Sequence, residues 1–171
     1  MDTGENRSDL ILNELKKNAK KKEIRTLDEE TVKTVVFTLN GDYYAFCGQD
    51  VKEIIPYTDI YFVPGAPDFM LGVINIRGDI ESVISINGLL GMPYSETNKN
   101  SRIAIVENNG HRSGILLDSI EDVVDIPESS VKPPLSTLSD AVREYVAGET
   151  LHKGKSVIVI NAEKIFKKII V

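Results

Sequence analysis

One cysteine and two histidines are the main groups this chain of 171 residues offers for covalent or metal chemistry. Cys47, in Phe46-Cys47-Gly48, would need a base at hand to act as a nucleophile, and no flanking motif supplies one. A lone cysteine after a strand is more often a small buried filler. His111 and His152 are not at a ligand spacing such as His-x-x-x-His, and one cysteine cannot make a Cys-x-x-Cys pair, so a zinc site is not expected. Asp28-Glu29-Glu30 reads as a solvated run. Glu121 and Asp122 are adjacent in a predicted strand, so their side chains leave on opposite faces. Neither a phosphate-cradling P-loop nor a Gly-x-Gly-x-x-Gly turn occurs. The expectation is a protein that is not an enzyme and carries no cofactor or metal.

What remains is binding chemistry, and it centres on Arg77. This residue precedes Gly78 at the tip of a predicted hairpin with Val, Ile and Leu on either side. It is either a solvated turn residue or an interface anchor, since arginine on a rigid support is a common hot spot. Upstream, Asp50-Val51-Lys52-Glu53-Ile54 alternates, which puts Val51 and Glu53 on one face and Lys52 and Ile54 on the other. If that first face is outward, Val51 is an exposed apolar contact beside a carboxylate able to hold Arg77. If it is inward, Val51 is core.

These residues sit in a repeated pattern. GVINIRGDIESVISIN (72–87) and GETLHKGKSVIVIN (148–161) both open on glycine, place a basic residue before a second glycine, and run through Val-Ile-x-Ile-Asn. Asn40-Gly41 and Asn109-Gly110 mark two further tight turns, because such pairs tolerate positive φ. Each of those hairpins is followed by an apolar run ending in proline, DVKEIIP (50–56) and SIEDVVDIP (119–127), and then by a proline-containing loop. The two halves therefore repeat one unit of about five strands, at an offset of about 70 to 76 residues. Each is too small to bury much apolar surface alone, so each should close into a small barrel and pack on its twin. A single long sandwich is the alternative; the proline-rich joints and the repeated order favour barrels. A helix-like stretch ends each half, GLLG after Asn87 and AEKIFKKII after Asn161.

Residues 1–32 look like an extension. Ser8 can cap a short helix that puts Leu12, Leu15 and Ala19 on one side with Ile11 beside them. Residues 1–25 carry a net +2 and the remainder −8. An acidic body argues against a nucleic-acid footprint, which depends on basic groups neutralising phosphates. Only the run from Lys16 to Arg25 could serve nucleic acid or a membrane surface, and such runs are usually solvated. No apolar run approaches the ~20 residues of a spanning helix, so no membrane insertion is expected. The N-terminus lacks the form of a signal peptide, and a single cysteine suits a reducing, cytoplasmic setting.

The segment VFTLNGDYYAF…DVKEIIPY…VPGAPDFMLGVINIRGDI resembles the CheW family, the coupling proteins of bacterial and archaeal chemotaxis. Its most specific part, Pro67-x-Phe69-x-Leu71-Gly72-Val73-Ile74-Asn75-Ile76-Arg77-Gly78, is similar to the family's PxFxxGVxNLRG signature, and the likeness runs from Thr34 to the C-terminus. It implies a mainly β CheW-like domain over 33–171, two five-stranded barrels of the Src-homology-three kind with short helices including one at the C-terminus, divided at about 98/99. It implies a noncatalytic adaptor that joins the tip of methyl-accepting chemoreceptors to the regulatory domain of the histidine kinase CheA, with self-association into rings as a further contact. By motif position, Arg77, Val51 and Ile103 would line a receptor-facing groove between the barrels, with Glu53 pairing to Arg77. The chain departs from the family's VIPVVDLR at 80–87: Ser82, Ser85 and Asn87 replace proline, aspartate and arginine, which would remove two charges near the groove. Alternatives are an adaptor of another chemosensory-type kinase pathway, and a nucleic-acid- or membrane-associated protein working through the lysine run.

Overall fold

In the computed structural model the described residues are 10–18 and 29–170. Residues 10–18 form helix α1, with Leu10, Ile11, Leu12 and Leu15 all exposed. Ser8 and Ala19, expected at its ends, lie outside the described residues. Helix α1 falls in a unit separate from the compact body, Val32–Val171.

The body is mainly β. Its strands are β1 (Thr31–Leu39), β2 (Asp42–Cys47), β3 (Val51–Pro56), β4 (Met70–Ile76), β5 (Asp79–Ile84), β6 (Arg102–Asn108), β7 (His111–Leu117), β8 (Ser119–Pro127), β9 (Val146–His152) and β10 (Lys155–Ile160). Two short helices follow the later strands, α2 (Asp140–Arg143) and the C-terminal α3 (Ala162–Ile170). Asn161 caps α3 by accepting a hydrogen bond from Lys164 N at 3.2 Å. Its apolar stripe, Ala162, Ile165 and Phe166, is buried. The GLLG stretch after Asn87 forms turns instead of a helix, since Gly91 sits at φ +70 and Pro93 follows within two residues.

The strands form two five-stranded sheets, β8-β1-β2-β10-β9 and β3-β6-β7-β5-β4. The first order becomes the second when each strand is replaced by its repeat partner, so the duplication in the sequence is a duplication in space. The two five-stranded units do not, however, divide along the chain near residue 98. Each half gives its first hairpin to the other: β1–β2 joins β8, β9 and β10, and β6–β7 joins β3, β4 and β5. Two parallel ladders take part in the exchange, Tyr43, Tyr44 and Ala45 beside Val157, Ile158 and Val159, and Val83 and Ile84 beside Gly114 and Ile115, and β3–β6 and β8–β1 pair across the halves as well. The physical reason is burial: exchange gives every hairpin a covered inner face that neither half supplies alone.

A shared core fills the space between the sheets. Phe37, Leu39, Tyr44 and Phe46 come from one sheet, Ile84, Val106, Ile115 and Leu117 from the other, and Ile165 and Phe166 from α3. Phe37 stacks on Phe46 with centroids 4.9 Å apart. Ile74, Val83, Ile103 and Ile105 form a second cluster within the β3-β6-β7-β5-β4 sheet. Strand β6 supplies both clusters, so Ile103 to Val106 are all buried.

The glycine that opens each repeated segment has a specific task. Tyr61 N donates to Val73 O at 2.8 Å and Val73 N donates to Tyr61 O at 2.9 Å, so the loop before β4 clasps its edge. Lys132 and Glu149 make the same pair of bonds at 2.8 Å across β9. A side chain at Gly72 would run into the Tyr61 carbonyl, and its φ of +148 already disfavours one. A Cβ at Gly148 would lie 2.7 Å from Lys132 O. The clasps cover edges that would otherwise present unpaired backbone. Gly72→Ala should therefore cost about 2–4 kcal/mol, read as a lowered urea midpoint with unchanged slope; a wild-type midpoint would remove the clasp from the account.

Candidate functional site

Four hairpins close through two-residue turns with both residues at positive φ. The pairs are Asn40 (50°) with Gly41 (83°), Arg77 (50°) with Gly78 (91°), Asn109 (50°) with Gly110 (79°), and Lys153 (49°) with Gly154 (76°). These are mirror-type turns, whose twist suits the strands they join. Asparagine tolerates the left-handed region; arginine and lysine do so at a cost. Strain of that kind, when it persists, points to a use for the side chain.

At the β4–β5 tip the use is visible. Arg77 Nη1 donates to Glu53 Oε1 at 2.9 Å and Nη2 to Glu53 Oε2 at 2.7 Å, a forked pair between the tip and β3. The turn is pinned from below, where Gly78 N donates to Asn75 Oδ1 at 2.9 Å. The arginine side chain is 73% exposed and the glutamate 27%, so a guanidinium is held out to solvent in a fixed direction. The Arg77 hydrogen bond holds the Glu53 carboxyl below the usual range. The pair is therefore fully ionised at neutral pH, and its contribution is lost only as pH falls through that depressed value. Arg112 Nε lies 2.7 Å from Glu81 Oε1, and its charge also acts on Glu53. Ile80, two residues past the turn, is 65% exposed, and alternation along β5 turns it to the face opposite Glu81.

Of the residues expected at the site, Arg77 and Glu53 are together. Ile103 is fully buried. It lies in the inner cluster with Ile74, Val83 and Ile105, so it supports the surface and cannot line a groove. Val51 packs against the shared core together with Ile54. The ladder register shifts between Val51 and Glu53, a bulge at Lys52 that breaks the alternation joining Val51 to Glu53. Ser85 and Asn87 are buried as well, at 4% and 2% exposure, so the replaced pair belongs to the interior. Arg112 and Ile80 escaped the sequence reading. Ile80 carried a weak signal, an isoleucine directly after a Gly-Asp turn.

The groups weighed for catalysis are occupied otherwise. Cys47 is half-buried; burial, then the charge of Asp50, pushes its thiol up, away from the reactive thiolate. His152 Nε2 lies 2.9 Å from Asp122 Oδ2, and the His111 ring sits 6.3 Å from that of Phe166. Among the described residues no cluster could hold a metal ion, and no helix is long and apolar enough to cross a membrane.

With this geometry in hand, the comparisons place the chain. The CheW-like domain matches residues 33–169, and the protein belongs to that family. It is 27% identical over 141 residues to the chemotaxis protein CheW of Helicobacter pylori, covering 82% of this chain and 85% of that one. It is 23% identical over 112 residues to the protein PilI of Pseudomonas aeruginosa, covering 66% and 63%. The scaffolding protein TtCheW of Thermoanaerobacter tengcongensis superposes with a TM-score of 0.70 at 34% identity, over 78% of this chain and 86% of that chain.

Two outcomes are expected. Native Cys47 should react with iodoacetamide at neutral pH at least about tenfold more slowly than in urea; equal rates would reopen the thiol reading. Arg77→Asn should leave Tm within about 3 °C of wild type, because relief of turn strain offsets loss of an exposed ion pair. A large fall would make the pair a structural element.

Proposed function

We propose that this protein is a noncatalytic chemotaxis adaptor, working in the cytoplasm, that couples the tips of methyl-accepting chemoreceptors to the regulatory domain of a CheA-type histidine kinase. The observation that carries the reading is the Arg77–Glu53 fork at a strained hairpin tip. A receptor tip is a helical hairpin with apolar knobs and carboxylates. An outward guanidinium offers such a surface an anchor. Glu53 keeps the guanidinium in one orientation before binding, which lowers the ordering cost on association. The kinase contact and any ring contacts belong to the sheet ends away from this tip.

A second reading is an adaptor for a related chemosensory-type kinase pathway. The replacement of the family's aspartate and arginine by Ser85 and Asn87 favours it. Titration against a kinase regulatory domain and a receptor-tip fragment from the same organism tests both. Coupling requires binding to each. Arg77→Asn, which the turn accepts, should weaken receptor-tip binding at least about tenfold and leave kinase binding unchanged. Unchanged receptor binding would remove Arg77 as the anchor. A folded protein that binds neither fragment would leave the second reading.

A further inference from the structure

A cavity of about 270 Å³ lies at the other end of the β4–β5 hairpin from Arg77. Leu71, on its wall, is six residues from Arg77, or about 20 Å of strand. The volume falls below the roughly 300–1,000 Å³ of small-molecule pockets and suits a group the size of one side chain.

Its wall is chemically lopsided. Asp118 is the only charged residue lining it; Tyr57 and Tyr94 add aromatic surface, and Ile60, Leu71 and Leu116 add apolar surface. Asp118 forms no ion pair among the described residues. Its recorded hydrogen bonds fall on Oδ2, which accepts from Asn40 N at 2.8 Å and from Ser95 Oγ at 3.1 Å. Oδ1 therefore remains for a ligand. Ser95 Oγ is also 3.1 Å from Asn40 Oδ1, so its single proton serves both acceptors.

The wall is also held in place. Buried Asn87 donates from Nδ2 to Pro93 O at 3.0 Å and to Ser95 Oγ at 3.1 Å. Asn40 Nδ2 donates to Pro93 O at 2.9 Å. Tyr94 OH donates to Asp68 O at 3.0 Å, which fixes the ring at its far end. A carboxylate without a cation, partly used by neutral donors and flanked by two tyrosines, matches the complement of a guanidinium: forked donors for the acid and a flat cation for the rings.

We infer that this cavity is a binding site for one arginine side chain carried by a segment of a partner protein, with the guanidinium on Asp118 and the stem against Tyr57 and Tyr94. Among the lining residues there is no basic group to meet the carboxylate of a free amino acid, which favours an arginine within a peptide. The site does not depend on Arg77 or on which receptor or kinase is engaged.

The test is calorimetric titration of the full chain at low salt with acetyl-Gly-Arg-Gly-amide, its lysine counterpart and agmatine. The arginine peptide should bind saturably and the lysine peptide less tightly. Asp118→Asn keeps an acceptor for Asn40 and Ser95 but removes the charge, and should weaken binding at least about tenfold. Thr97→Arg, at an exposed wall position, brings a guanidinium of the chain's own and should compete to a similar extent. Equal affinity of the folded Asp118→Asn variant, absence of saturable binding to the arginine peptide, or binding of agmatine with the peptide excluded would each overturn the inference.

Discussion

Strand pairing between the two halves holds this molecule together. Where β2 lies along β10 and β5 along β7, the first hairpin of each half is stitched into the sheet of the other. Parallel pairing demands a long connection, and here β6 lies within the one from β5 to β7 while seven strands lie within the one from β2 to β10. Pulling out β1–β2 would strip Phe37 and Phe46 from the shared core, and pulling out β6–β7 would strip Val106 and Ile115. The halves are therefore stable as a pair, with a shared core between the two sheets.

That rigidity is what the hairpin tips draw upon. A turn on a loose ribbon could relax a strained residue into another conformation; a turn on a strand locked into a five-stranded sheet cannot. Two of the four turns use asparagine and follow the backbone's preference. The other two place Arg77 and Lys153 where the backbone resists them. Arg77 is further tied to Glu53 across β3. The direction of the guanidinium is thus set by the sheet, and the side chain's own freedom contributes little.

Much of this was readable in the residues, and the failures have a common cause. Alternation and Asn-Gly or basic-Gly turns located the strands and hairpins, and the glycines at 72 and 148 marked the repeat. The hairpin tip at Arg77 follows from local pattern, and its pairing with Glu53, 24 residues away, followed from the family resemblance. Partner choice between strands is not local: a period of two says which residues share a face and nothing about which strand lies alongside. The hairpin exchange was therefore invisible. Ile103 was misplaced because both faces of β6 are covered, so alternation had no solvent side to identify. The orientation of Val51 stayed open because one bulged residue breaks the alternation that would join it to Glu53. Ser85 and Asn87 look like surface polar residues until the 93–95 segment is folded over them.

The exchange also orders events in time. As the chain emerges from a ribosome, β1 and β2 appear first, yet their neighbours β8, β9 and β10 are the last strands made. The sheet containing β3 to β7 has all its strands by Leu117, while the opening hairpin must wait until Ile160 for its own to be complete. The strand pairing of β1 and β2 with β8 and β10 is incomplete for that interval. A nascent chain of this kind carries an unfinished edge through most of its synthesis, and that is when misassembly with a neighbouring chain is cheapest.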